Sequence, residues 1–435
     1  MTKTLTGQEL IAAGMPPGRW FKTALEAANK VLAEGGTQKA AIAAAMTHAP
    51  PPALALDDAG ACPFYENIIG ETPEELANIE QVRQSMTELM RTPVIQAGAI
   101  MPDSCPAGPV GTIPVGGIAV SDAIHPGMHS ADICCSMAIS VLPGVAPADL
   151  LDAVQAVTHF GPGGRTGDQE LSPPAEILTA MAENRYLQQQ QSVAISHFGT
   201  QGDGNHFAFV GTLKSTGDTA LVTHHGSRAP GARLYKEGMK VAERFRRLLS
   251  SDTLKQNAWI PADTEEGEAY WSGLQIIRAW TKANHMVIHD LAAASLSATV
   301  TDRFWNEHNF VFQRSDGLFY HAKGATPAFD GWADDATDLT LIPLNMAEPI
   351  LIARGKNADH GLGFSPHGAG RNFSRRQHKR LLENRSDAEI FAEETKGIDA
   401  RFFMGTPDIS ELPSAYKNAA AVRQQIEHFD LAEIV

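Results

Sequence analysis

The chain has 435 residues, with 35 Lys+Arg against 50 Asp+Glu, a formal net charge of −15, 43 % hydrophobic and 20 % charged residues. These proportions exclude a wholly disordered or collagen-like chain. The acidic balance excludes bulk electrostatic attraction to nucleic acid, though not a local basic groove.

At about 150 residues per domain, the length fits roughly three domains or one large one. The first 90 residues read as helices. Thr37 opens an Ala-rich segment through Met46, and a Pro50-Pro51-Pro52 connector follows. Thr72-Pro73-Glu74-Glu75 is a capping box with Pro at the first helical position, and it starts a helix to about Met90. From Pro93, short β-rich runs with Gly/Pro turns appear at 93–100, 115–120 and 137–142. Helical patterns return at 147–160 and 174–190, with strand-like pieces at 207–210 and 220–223. A periodic helix covers 230–249, and a long helical pattern covers 268–298. Runs at 310–313 and 318–321 flank Asp316-Gly317, a hairpin signal. Strands are expected at 339–342 and 350–353, and helices at 374–382 and 388–394.

Strands and helices do not alternate strictly, so the expected class is α+β, with mixed β-sheets surrounded by helices. No repeat or composition break divides the chain. A single domain over 1–435 is expected, with a mainly helical part at 1–92, a core bearing the motifs at 93–380 and a C-terminal helical part at 381–435. The first ten residues show no apolar run and no stretch of about 18 apolar residues occurs, so neither a secretory nor a membrane signal is expected. The four cysteines, Cys62, Cys105, Cys134 and Cys135, include an adjacent pair and make a poor disulfide framework. A cytoplasmic setting fits them, with any special cysteine acting as ligand or nucleophile.

Five loops gather His, Cys, Asp or Asn, four of them with Gly: 121–135, Gly202-Asp203-Gly204-Asn205-His206-Phe207, His224-His225-Gly226-Ser227-Arg228, Glu307-His308-Asn309 and Pro366-His367-Gly368-Ala369-Gly370-Arg371. Singly, each reads more readily as a structural loop. Together they supply a carboxylate, a thiolate and several imidazoles at strand ends, the donor set of a transition-metal site. Gly-rich loops with Ser, Arg and Asn add donors suited to phosphate. The combination points to phosphoryl or nucleotidyl transfer. His285 and His289 have the spacing of two ligands on one helix face, but Met286-Val287-Ile288 lacks the Glu of a zinc protease, so they read as packed helix residues.

The loops resemble the RtcB family of tRNA-splicing ligases. The matching pieces are Met101-Pro102-Asp103, Pro114-Val115-Gly116-Gly117, Asp132-Ile133-Cys134-Cys135, Gly204-Asn205-His206-Phe207, His224-His225-Gly226-Ser227-Arg228, His308-Asn309, Lys323-Gly324-Ala325-Thr326 and His367-Gly368-Ala369-Gly370-Arg371. The resemblance implies an RtcB-like catalytic domain that joins RNA 3′-phosphate or 2′,3′-cyclic phosphate ends to 5′-hydroxyl ends. It implies Asp132, Cys135, His206, His224 and His308 as ligands of Mn2+, with two ions expected. It also implies GTP as cofactor and His367 as the residue that becomes guanylylated. Asn205, Gly368, Ala369, Gly370, Arg371 and Tyr416 would contact the nucleotide. Arg228, Arg371, Arg375 and Arg376 would contact RNA or phosphate. Partners implied are such RNA ends and an accessory activator, with no membrane. Where the family usually reads G-N-H-F-x-E, with the Glu recognising guanine, this chain has Phe209; it also has Ser136 after the ligand Cys and ends in Glu433-Ile434-Val435 rather than Lys. A phosphohydrolase acting on RNA ends and an inactive RNA-end-binding paralogue are the alternatives.

Overall fold

The structure is a computed structural model, and it describes all residues except 1–3, 16, 17, 19, 50–52, 329 and 330. The triple-proline connector therefore lies outside the described residues. By contacts the chain groups into two compact units, one of 1–55 with 246–251 and one of 56–245 with 252–435. The first contains the helices Gly7–Ala12, Phe21–Ala33 and Gln38–Met46. Leu10, Ala24, Ala28, Ala41 and Ala45 form its interior, small residues that let short helices approach closely.

The second unit holds mixed sheets among helices, the α+β class that the irregular order of elements implies. Its five-stranded sheet runs in the order Phe64–Glu66, Ile95–Cys105, Val115–Ser121, Phe319–Lys323, Asn309–Gln313. A four-stranded antiparallel sheet runs Asp302–Glu307, Ser136–Leu142, Thr219–His225, Phe207–Thr212. The Asp316-Gly317 hairpin forms as expected, with Gln313 opposite Phe319 and Gly317 at φ +81°. The capping box at Thr72 starts the helix Pro73–Leu89. Its Ile79, Val82, Met86 and Leu89 recur at helical spacing and bury against Ile100 and Ile113.

Some elements differ from expectation. The helix expected at 174–190 ends early, as Ala175–Glu183, and a separate short helix, Gln191–Ser196, follows. Asn184 leaves the helix with ψ 125°, and its side-chain oxygen accepts from the Tyr186 N–H in a local turn. The edge strand Asp302–Glu307 is not among those expected, because Trp305, Asn306 and Glu307 are buried in succession and no alternation marks it. The helix Ala419–His428 falls in the expected C-terminal helical part, whereas the strand Ala432–Ile434, paired with Leu351–Gly355, was not expected. Among the described residues, no helix is long and apolar enough to cross a membrane.

Buried imidazoles brace the second unit. His125 donates through Nδ1–H to the Asn257 carbonyl at 2.9 Å, and its Nε2 lies 3.0 Å from Ser121 Oγ. The His125 backbone N–H donates to His321 Nε2. His129 donates through Nδ1–H to the Ser130 carbonyl, with the Tyr270 hydroxyl at its other nitrogen. Burial pushes both His125 and His129 down to about 4 from the usual 6.5. The unfolded chain takes up these protons near pH 6.5 and the folded chain does not until about pH 4. The stability they confer is full above pH 6.5 and is lost as pH falls toward 4, about 3 kcal/mol per ring. Urea unfolding between pH 7.5 and 4.5 should show this decline; a flat profile would contradict it.

Candidate functional site

The two larger sheets meet at one residue. Asp302–Glu307 lies in the four-stranded sheet and Asn309–Gln313 in the five-stranded sheet, so His308 is where the chain changes sheets. Its N–H donates to the Cys135 carbonyl at 2.9 Å, and its carbonyl accepts from the Gly324 N–H at 2.7 Å. Asn309 fixes the same junction: its backbone carbonyl takes the Cys134 N–H, and its side-chain oxygen takes the Gly324 N–H. Glu307, fully buried, is held by Arg278, which also pairs with Asp335 and lies over the Trp305 and Trp332 rings. Burial pushes the Glu307 carboxyl up to about 7, with Arg278 opposing.

Cys135 precedes the strand Ser136–Leu142, His206 precedes Phe207–Thr212, and His224 lies opposite both Met137 and Phe207. The ligand atoms of Cys135, His224 and His308 all lie within 4.8 Å of one another, as do those of Asp132, Cys135 and His206. Cys135 Sγ is 3.2 Å from His224 Nε2 and 3.6 Å from His206 Nε2. His206 Nε2 lies 3.0 Å from Asp132 Oδ2, and His224 Nε2 lies 3.1 Å from His308 Nε2. All five residues expected as ligands are thus brought together, in two triads that share one sulfur. Gly226 permits this, since a Cβ there would fall 2.1 Å from Asp132 Oδ1.

The donor chemistry fits a divalent transition metal. The Asn205 carbonyl, 2.9 Å from His224 Nδ1, can only accept, so it holds the proton there and leaves the Nε2 lone pair facing the cluster. Burial lowers His224 to about 3 and His308 well below the usual range, which keeps both rings in the neutral, ligating form. Burial, with Asp132 nearby, pushes the Cys135 thiol well up, so its thiolate needs a cation.

His367 lies beside this cluster, its ring centroid 4.8 Å from that of His308. Its Nδ1–H donates to Asp103 Oδ2 at 2.6 Å, and Asp103 is fully buried. This bond places the proton on Nδ1 and leaves Nε2 with a free lone pair, the state of a nucleophilic imidazole. Asp103 lies in the Met101-Pro102-Asp103 motif, but nothing local in the sequence marks its partner.

The cationic residues are held from within. Arg228 places its guanidinium 3.4 Å from His206 Nδ1, with further contacts to Thr200 and the Gly161 carbonyl. Arg371 donates to the Ser410 carbonyl at 2.5 Å, to Glu411 and to the Phe373 carbonyl, and it lies over the Tyr416 ring. Arg375 donates to Glu411 at 2.6 Å, and its terminal nitrogen lies 3.5 Å from where a Gly204 side chain would begin, beside exposed Asn205. Arg376 is exposed. Glu411, which also accepts from the Tyr416 hydroxyl, is a buried anchor that no sequence signal marked. His285 and His289 lie outside the cluster. They bond Ser136, Thr223 and Ser140, and so tie the long helix Glu265–Ser295 to the four-stranded sheet. Phe209, opposite Val222, packs on an apolar cluster with Met137, Ile139, Leu341 and Ile352.

The family model described as "tRNA-splicing ligase RtcB" matches residues 166–435, more than half of the chain. The chain is 28 % identical over 276 residues to the tRNA-splicing ligase RtcB of Archaeoglobus fulgidus, covering 54 % of this chain and 57 % of that protein. It is 25 % identical over 438 residues to the Aeropyrum pernix tRNA-splicing ligase RtcB, covering 82 % and 91 %. It is 24 % identical over 392 residues to the RNA-splicing ligase RtcB of Escherichia coli K12, covering 81 % and 91 %.

Proposed function

The chain belongs to the RtcB family, and from that premise we propose that it is an RNA ligase joining a 3′-phosphate or 2′,3′-cyclic phosphate end to a 5′-hydroxyl end through a nucleotidyl-histidine. The observation that carries this reading is the Asp103–His367 bond beside a buried Asp/Cys/His cluster. His367 Nε2 attacks the α-phosphorus of GTP, a nitrogen–phosphorus bond forms, and pyrophosphate leaves. A 2′,3′-cyclic end is first opened by water, which breaks the bond to O2′ and leaves a 3′-phosphate and a 2′-hydroxyl; the RNA 3′-phosphate then takes the guanylate from His367. The 5′-hydroxyl oxygen attacks that activated phosphate, its proton passes to solvent, and GMP leaves. Asp132, Cys135, His206, His224 and His308 would hold two Mn2+ ions, which supply charge neutralisation at the phosphate oxygens. Cys135, common to both triads, supports two sites rather than one.

In this reading Asn205, the 367–371 loop and Tyr416 face the nucleotide. Arg228 supports His206, and Arg371 supports the loop through Glu411. Phe209 offers no acceptor to guanine, so GTP use with relaxed preference over ATP is expected. Incubation of the protein with GTP, Mn2+ and RNAs bearing 3′-phosphate and 5′-hydroxyl ends should give joined product. Dephosphorylated RNA alone would indicate a phosphohydrolase, and binding alone an inactive paralogue.

RNA affinity should rest on few cationic contacts, with a shallow salt dependence. Changing Arg375 and Arg376 to Ala should weaken binding by about tenfold and flatten that dependence further, read by filter binding across a salt series. Unchanged affinity would remove these two residues from the RNA surface.

A further inference from the structure

The strand Ile95–Cys105 loses register with its neighbour Val115–Ser121 between Ile100 and Cys105. The extra residues there include Asp103, and such irregularities re-aim side chains. Two groups hold the distortion. Ser104 Oγ accepts from the Met101 N–H and donates to the Gly116 carbonyl, each at 3.0 Å. Lys417 Nζ donates to the carbonyls of Pro102 at 3.1 Å and Ser104 at 2.6 Å, the residues on either side of Asp103.

Lys417 also reaches the other half of the pair. Its backbone N–H donates to the Gly370 carbonyl at 3.0 Å, at the end of the loop that carries His367. The two loops touch there: Gly370 has φ +73°, and a Cβ on it would fall 1.9 Å from the Asp103 carbonyl oxygen. Lys417 is 5 % exposed, so its ammonium takes these bonds with little competition from water. One residue thus grips both segments whose separation sets the 2.6 Å bond from His367 to Asp103.

We propose that Lys417 is a positioning residue for His367, clasping the Asp103 bulge to the 367–370 loop so that Nε2 is presented with its lone pair free. The inference rests on the reading of His367 as the nucleotide carrier. Without the ammonium, the two carbonyls lose their shared donor, the bulge relaxes, and Asp103 turns from His367. Burial disfavours the charged form of Lys417, with Asp103 and Cys105 acting against that. A misplacement of about 1 Å at a reacting group costs on the order of 100-fold in rate.

The test compares wild type with Lys417→Met and Lys417→Arg in the full chain. The first readout is the deshielded Nδ1 proton of His367 in proton NMR without nucleotide, assigned by its loss in His367→Ala. The second is the rate of adduct formation with labelled GTP, separated into maximal rate and apparent nucleotide affinity. A Co2+ titration and far-UV circular dichroism report metal binding and folding. Lys417→Met should lose the proton resonance and slow the maximal rate roughly 10–100-fold, with nucleotide affinity and Co2+ binding within twofold. Lys417→Arg, which keeps a cationic donor, should retain the resonance and an intermediate rate. Lys417→Gln takes the place of Lys417→Met, with the same readouts, where the latter does not fold. An unchanged resonance and rate would overturn the proposal. Loss of the resonance upholds the clasp even where no adduct forms in wild type, a result that would instead remove the carrier reading.

Discussion

Asp103→Asn should slow formation of the protein–nucleotide adduct by about 10²–10⁴-fold while leaving metal binding intact, the scale seen when an Asp that orients a catalytic imidazole becomes Asn. The wild-type carboxylate accepts the His367 Nδ1 proton at 2.6 Å and so keeps the Nε2 lone pair free. An Asn amide can instead donate to Nδ1, which moves the ring proton to Nε2 and blocks the nucleophile. Asp103 has no exposure, so water does not restore the lost acceptor. Single-turnover labelling with GTP measures the rate, and a Co2+ titration checks the metal site. An Asp103→Asn protein that labels at the wild-type rate would separate Asp103 from the chemistry.

On the proposed reading, in which Cys135 is itself a ligand, Cys135→Ser should lower Mn2+ affinity by more than the roughly 10–100-fold typical of losing an outer-shell partner. The sulfur is common to both triads, so one substitution removes a donor from each. A serine hydroxyl is smaller, harder and not ionised at neutral pH. The remaining imidazoles of His224 and His308 stay neutral, since burial keeps both well below the usual range. Isothermal titration of the apoprotein with Mn2+ measures the change. Affinity within about tenfold of wild type would place the metal elsewhere.

Much of the Asp/Cys/His cluster was legible in the sequence, because its residues lie in short loops, most of them Gly-bearing, that strand ends bring together. Asp132, Cys135, His206, His224 and His308 span 132–308 yet converge within two triads. The Thr72 capping box and the Asp316-Gly317 hairpin were legible for a similar reason, since each is fixed by residues three or four apart. What escaped was set by distant partners. Asp103 sits on a strand irregularity that no local pattern announces, and it meets His367 across 264 positions. Lys417 meets Pro102 across 315 positions. The buried anchor Glu411, which fixes Arg371 and Arg375, resembles any acidic residue near a short helix. The strand Asp302–Glu307 buries Trp305, Asn306 and Glu307 in succession, and the partners that satisfy Asn306 and Glu307, Thr326 and Arg278, lie elsewhere in the chain, so no local alternation marks it.

The central claim is that His367 carries the nucleotide. Incubation with labelled GTP or ATP and Mn2+, followed by acid treatment and peptide mapping, tests it most directly. The account predicts an acid-labile adduct on His367 that is absent in His367→Ala and forms with GTP at a preference relaxed by Phe209. An adduct undiminished in His367→Ala would contradict the account.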